Sequence, residues 1–412
     1  MRTKNRTREI AQLWAVTLCR LVMASVLVIS GFVKAVDPEG MGYKLEGYLD
    51  YLGIPLGGTD TFTLMGVVGL ATIEFVLGIY LLLGIRRRLA ATATLVLMTV
   101  MTAISVFIYW VRPVEDCGCF GAAWTLGPGE TLVKNVVLLA MAIVLVRKSR
   151  FMLRLITERN QWITVVWSWM YIILLGLYSQ QYLPPVDFTA FKTGVNLRQA
   201  WNSPTAETPP ALIGFDLSTP EGNSLTEEIL ADTGATFLLI LSDIDRADDG
   251  CNDRINDICD LCQDKGGRFY AVAAHNTTEQ QRNQWTDRSG AAYPYLLTDG
   301  DQIKNMVRSN PGLMLINNGI IIDKWSNNNL PSSRMDGIRM EGIETESLHV
   351  TLARLVLWFI LPLLLVITAD RLWIGSKYYR HYRIMKRLLS HDSVEDAKSK
   401  PQADNMPNTE SK

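Results

Sequence analysis

The chain has 412 residues and a formal net charge of −1, from 40 Lys and Arg against 41 Asp and Glu. That length allows two or three domains, and the near-zero balance by itself says nothing about a nucleic-acid partner, because positive and negative residues are segregated along the chain; no nucleic acid is expected as a partner. Hydrophobic residues make up 48% of the chain, but they are gathered into long runs separated by polar stretches, the pattern of a membrane protein.

Six runs, at 12–36, 62–85, 89–111, 130–147, 162–183 and 351–374, each come near the roughly 20 residues that cross hydrocarbon. The fourth is short and opens on Glu130, so tilt or support from its neighbours is expected there. Arg2, Lys4, Arg6 and Arg8 precede the first run, Arg86 to Arg88 separate the second from the third, and Arg147, Lys148, Arg150, Arg154 and Arg159 separate the fourth from the fifth. Arg371, Lys377, Arg380, Arg383, Lys386 and Arg387 follow the sixth, whereas the alternate loops hold Asp37, Glu39, Glu46, Asp50, Asp60, Glu115 and Asp116. Positive ends face the cytoplasm, so both termini are expected inside. A cleaved signal peptide is the rival reading of the start, but the first run is too long for an h-region and no small-residue cleavage site follows it. The polar stretch 392–412 lacks aromatics and reads as disordered.

Arg20 lies within the first span, Lys34 near its outer end and Glu74 within the second. Ionised groups at such depths cost about 2.5–3.5 kcal/mol each, so they are expected to face the bundle interior. Their similar depth predicts an Arg20–Glu74 pair, serving either helix register or the binding of a proton, quinone or substrate; Lys34 is expected to snorkel or to join that site. The ordered set Lys34, Asp37, Pro38, Glu74 and Cys117-Gly118-Cys119 resembles the DoxX-like membrane proteins, in particular the MauE branch, over roughly the first 150 residues. That resemblance implies a four-helix bundle and a role in envelope thiol chemistry or in the maturation of a periplasmic partner.

Six cysteines fall into three settings. Cys19 reads as a small buried apolar residue. Cys117 and Cys119 flank Gly118 in a loop assigned to the oxidising side, where a small strained disulfide would be labile and ready to exchange. Glu115 and Asp116 beside them oppose thiolate formation, so redox exchange, a structural disulfide and inert thiols all stand as readings. Metal binding is disfavoured because tetrahedral zinc wants four ligands and no His or further Cys lies nearby.

The prolines at 184, 185, 204, 209 and 210 suggest a semi-extended tether that lifts a domain off the bilayer. Beyond it, "IGFDLSTPEGN" predicts a strand and turn, "TFLLILS" and "RFYAVAA" predict buried strands around a helix near 249–264, and Asn318-Gly319 predicts a hairpin. The order resembles thioredoxin-like domains of the membrane-tethered TlpA and peroxiredoxin-like type over about 211–330. It implies a cis Asn310–Pro311 bond beside a docking surface. The CxxC of that family is missing: its place reads "SDIDRADDG", Cys251 comes late as a possible lone thiol, and Cys259 and Cys262 fall far along the helix, as core or half-buried thiols.

The expected fold class is thus an α-helical membrane bundle of about six transmembrane helices plus an α/β thioredoxin-like soluble domain. Its layout is a cytoplasmic N-terminus (1–11), the four-helix bundle (12–150), a fifth transmembrane helix with its basic approach (151–183), a Pro-containing linker (184–210), the periplasmic domain (211–350), a sixth helix (351–375) and a basic, then disordered, cytoplasmic tail (376–412). The expected partners are the lipid bilayer and a periplasmic protein or thiol-redox partner. No cofactor motif is present, and a quinone has none to support it. Thiol–disulfide exchange at Cys117 and Cys119 is the leading function; a non-catalytic assembly protein and a small-molecule or proton-coupled protein built on Arg20 and Glu74 are the alternatives, so catalysis is left open.

Overall fold

The computed structural model describes residues 2–54, 56–57, 59–112, 118, 121, 124, 126–205, 208–331 and 348–399. Among them are six helices long and apolar enough to cross a membrane: α1 (Arg2–Val36), α3 (Thr61–Leu83), α4 (Arg87–Val111), α5 (Pro128–Arg147), α6 (Gln161–Gln181) and α12 (Leu348–Ser399), the last qualifying over Leu348–Ile384. They coincide with the six apolar runs.

The closest helix contact is between α1 and α3, and two glycines create it. A Cβ on Gly31 would lie 2.5 Å from the Ala71 carbonyl oxygen, and one on Gly78 would lie 2.9 Å from that of Ala24. Backbones brought this close are the usual solution in hydrocarbon, where packing rather than hydrophobicity joins helices. Met23, Ala24, Leu27, Leu77 and Leu81 fill the seam, with Ala90, Leu138 and Leu145 from α4 and α5 behind them.

Between α1 and α3 the chain forms α2 (Pro38–Tyr51). Asp37 starts it as an N-cap, accepting from the Gly40 amide, and Pro38 occupies the first turn, where its missing N–H costs nothing.

The second half contains a five-stranded mixed sheet in the order β3-β2-β1-β4-β5, where β1 is Thr236–Ile240, β2 Arg268–Ala274, β3 Tyr295–Thr298, β4 Gly312–Asn317 and β5 Ile320–Ser326. β1, β2 and β3 are parallel and β4 is antiparallel to both β1 and β5. The short α8 (Thr226–Ala231) precedes β1, the parallel crossovers are made by α9 (Asn252–Asp264) and α10 (Glu279–Ser289), and α11 (Gly300–Met306) leads from β3 towards β4. Strand β1 is buried on both faces. Phe237 and Leu239 join one core with Ile255, Cys259, Cys262 and Trp285, whereas Leu238 and Ile240 join another with Ile303, Met306 and Phe215. That two-sided burial explains its unbroken apolar run. The β4–β5 hairpin turns at Asn318 and Gly319, both at positive φ (48° and 73°), as a two-residue primed turn requires.

Several expectations need correction. The strand expected near 213–218 is reduced to isolated bridges from Ser218 to Ser224 and Leu297, because the turn through Pro220 and Gly222 begins at once. Nor is 184–210 a tether. Gly194 and Leu197 donate to Ile321 and Gly319, Asp187 pairs with Lys324, and Phe191 packs edge-on to Phe215 at 5.4 Å, so this segment, including α7 (Leu197–Asn202), is bound to the β5 hairpin. The apolar Phe191 and Leu197 drive this by burying themselves in the core with Ile316 and Ile321, while Val186 packs with Val36 and Phe359 of the helical bundle. The tail is helical through Ser399, as a continuation of α12, rather than disordered from 392; the expected run from 336 to 347 into the sixth span lies outside the described residues.

Candidate functional site

The N-terminal helices and the sheet meet at α2. Arg308, just after α11, donates from Nε to Asp37 Oδ1 at 3.1 Å and from Nη2 to Oδ2 at 3.2 Å, and it also bonds the Lys304 carbonyl. Both side chains are almost fully buried, 5% and 2% exposed. A two-pronged charged contact of this kind is strong and geometrically selective. Burial alone would weaken the Arg308 charge, but Asp37, Tyr43 and Glu39 hold its pKa above the ordinary value. Gly40 makes the space: a Cβ there would stand 2.3 Å from Asp37 Oδ2 and 2.8 Å from Arg308 Nη2.

Tyr43 lies one turn further along α2. Its ring sits under Lys304 at 5.1 Å and Arg308 at 5.6 Å, and it lines a cavity together with Ser242, just beyond the carboxyl end of β1. Burial and the nearby Glu39 raise the pKa of the Tyr43 hydroxyl. Lys304 pairs with Glu46 at 3.2 Å, Arg246 with Asp60, and Asn328 donates to the Gln181 carbonyl at 2.8 Å. Helix α2 therefore covers the edge where β1 and β4 diverge, a switch point of the sort at which α/β proteins bind ligands. Polar cavities of about 280 and 290 Å³ flank Tyr43. The first reaches Asp243 and Gln281, the second Glu39, Gln180, Asn310 and Ser326. The Asn310–Pro311 peptide beside the second cavity is cis.

An adjoining face of α2 meets Gly118 and Gly121. A Cβ on Gly118 would lie 2.9 Å from Lys44 Cδ and 3.1 Å from Met41 Sδ. Lys44 Nζ donates to the Gly121 carbonyl at 3.0 Å, and Gly121 lies against Val33 of α1. Cys117 and Cys119 lie outside the described residues.

Within the bundle, Glu74 is bound by Lys34 (Nζ to Oε2, 2.8 Å) and Ser30 (Oγ to Oε2, 2.7 Å), and all three side chains are buried. The expected Arg20–Glu74 pair is absent. The glycine seam sets residue 30 opposite 74 and residue 20 opposite 82, which separates Arg20 from Glu74 by about ten residues, or about 15 Å of helix. Arg20 instead donates to the carbonyls of Leu82, at 3.0 Å, and Leu153, at 2.8 Å. It thus caps the C-terminal end of α3, where a cation is favoured. Lys34 is buried in an ion pair and does not snorkel.

The described cysteines are free. Cys251 is the N-cap of α9, where burial and then Asp248 push its pKa up to about 11. Burial first, then Asp260, raises Cys259 to about 11, and burial does the same to Cys262. All three are therefore protonated thiols at neutral pH, poor nucleophiles, and the helix N-terminus does not outweigh burial at Cys251. Among the described residues no group of His, Cys, Asp or Glu could hold a metal ion.

Residues 12–148 match the family model for the methylamine utilisation protein MauE. The first third of this membrane protein is MauE-like. That segment runs from α1 to the end of α5 and takes in the Lys34–Glu74 pair, α2 and the cysteine loop, whereas the mixed sheet lies outside it. No curated protein and no solved structure matches the chain. Sequence reasoning missed the junction between the MauE-like bundle and the sheet. Its one signal was the acidic, Pro-started stretch after Asp37, which reads equally as a solvated loop.

Proposed function

We propose that this chain is a MauE-like protein of the bacterial inner membrane whose Cys117–Cys119 pair exchanges thiols and disulfides with a periplasmic protein and so supports that protein's maturation. The order of basic and acidic loops supports cytoplasmic termini and a periplasmic sheet domain. In the exchange, one thiolate of the pair attacks a partner disulfide, forming a mixed disulfide and releasing a partner thiolate. The second cysteine then closes the Cys117–Cys119 bond and releases the other partner thiolate, so two electrons pass to the partner; the reverse sequence oxidises a partner dithiol.

The observation that carries this reading is the position of Gly118 and Gly121 against α2 and the outer end of α1, with the Lys44 ammonium against the loop. Lys44 thus puts a cation on Gly121, two residues past Cys119 in sequence, and a cation near a thiol favours the thiolate. The strand order, with α9 and α10 as crossovers and Pro311 before β4, is consistent with a thioredoxin-like unit of the TlpA and peroxiredoxin-like type. The protonated state of Cys251, Cys259 and Cys262 fits a docking role for that unit better than dithiol catalysis. The DoxX-like resemblance extends to Lys34 and Glu74, which we assign to holding the bundle under the loop.

The test is thiol trapping in intact cells with a membrane-impermeant reagent, followed by mass spectrometry of the loop peptide. Partial oxidation, or a mixed disulfide captured when either cysteine is replaced by serine, is expected. A pair fixed in one state under every condition would favour the second reading, a non-catalytic assembly protein, which the covering of the Pro311 edge by α2 also suits.

A further inference from the structure

The contact between α2 and the sheet domain contains a carboxyl that the ion pairs leave over. Glu39 is half-buried and lines the cavity of about 290 Å³ beside Asn310. Its neighbours are Asp37 and Tyr43 on its own helix, Arg308 from the segment after α11, Asp60 from the loop before α3 and Arg246 from the loop after β1. Arg308 is committed to Asp37, and Arg246 to Asp60 and Asp243. Glu39 itself makes no hydrogen bond or ion pair among the described residues, so an ionised Glu39 has no counter-charge of its own and must compete with Asp37 for Arg308.

We propose that Glu39 makes this junction a proton-sensitive latch. Protonated, Glu39 leaves Arg308 to Asp37 and the sheet domain stays seated on α2; ionised, it repels Asp37, draws on the same guanidinium and loosens the seat. Release would uncover the edge beside Pro311 that Tyr43 now covers. Burial, partly offset by Arg308, raises the Glu39 pKa to about 7 in the seated arrangement. On a solvated helix it would return to near the ordinary carboxyl value, so the seated form binds the proton more tightly. Seating therefore weakens as pH rises from about 4.5 to about 7 and is constant above, with a span of up to about 300-fold in the seating equilibrium. The latch concerns the α2 contact alone and does not depend on thiol exchange.

The experiment is hydrogen–deuterium exchange of the full chain in lipid nanodiscs from pH 5 to 8, corrected for intrinsic exchange rates. The segments read are 38–46 and 300–311, with β1 as the internal reference for folding. In the wild type their protection should fall as pH rises through this range while β1 stays protected, and in Glu39→Gln it should remain high and flat. A flat profile in the wild type would overturn the latch whatever the variant does. So would a pH-dependent loss that persists unchanged in a folded Glu39→Gln.

Discussion

Arg308 and Asp37 are 271 positions apart in the chain, yet they form a two-pronged ion pair that is nearly sealed from solvent. It ties the segment after α11 to the first residue beyond the first span. Much of what can be tested about the molecule depends on that tie.

Removing one partner should be costly. Asp37→Ala leaves a buried guanidinium uncompensated and deletes the N-cap of α2, an expected loss of about 3–5 kcal/mol. Arg308→Met with Asp37→Leu should cost less than either single change, since no lone charge is left behind. Urea titrations in detergent micelles of Asp37→Ala measure the cost, and those of Arg308→Met, Asp37→Leu and their double measure the coupling; additive losses would mean that the pair does not act as a unit.

Gly40→Ala tests the same contact without changing charge. The new methyl would stand 2.3 Å from Asp37 Oδ2, so either the carboxylate or the guanidinium must shift. A loss of about 1–3 kcal/mol is expected, with amide protection falling at 300–311 and unchanged in β1. Wild-type protection at 300–311 would show that the space at Gly40 is not needed.

In the bundle, Glu74→Ala should strand the Lys34 ammonium and destabilise strongly, whereas Lys34→Met with Glu74→Leu should recover much of the stability. Thermal unfolding in detergent measures both effects, and complementation in intact cells reads whether the stable double variant still works. A stable double variant that fails in cells would give the pair a role beyond register. Arg20→Gln should be independent of both, because its partners are the carbonyls of Leu82 and Leu153.

Cys251, Cys259 and Cys262 should alkylate slowly in the folded protein at pH 8, where a pKa of about 11 leaves on the order of one thiol in a thousand ionised. Because the folded state raises these pKa values above the ordinary thiol range, it holds their protons more tightly than the unfolded chain. Their contribution to stability is therefore complete below about pH 9 and is lost as pH climbs to about 11. Pulsed iodoacetamide labelling with mass spectrometry reads both effects; rapid labelling of Cys251 at pH 8 would restore it as a reactive lone thiol.

The sequence by itself determined the elements whose cause is local. Length and hydropathy mark the six spans because a helix across hydrocarbon must satisfy its own backbone and show apolar side chains all round. The two-sided apolar run of β1 and the Asn318-Gly319 turn are legible for the same kind of reason, since burial of both faces and positive φ each restrict the residue types allowed.

What only the tertiary structure decided is which groups meet. Charge and approximate depth suggested Arg20 for Glu74, but the Gly31 and Gly78 seam slides the α1–α3 register by about ten residues and gives Glu74 to Lys34. The prolines of 184–210 suggested a tether, yet Phe191 and Leu197 fold it against β5 and Val186 against the bundle, because buried apolar area outweighs a local preference for extension. The junction at α2 was hidden most deeply: Asp37, Gly40 and Tyr43 look like an acidic loop until Arg308, from the far end of the chain, supplies the charge and burial that give each of them a role.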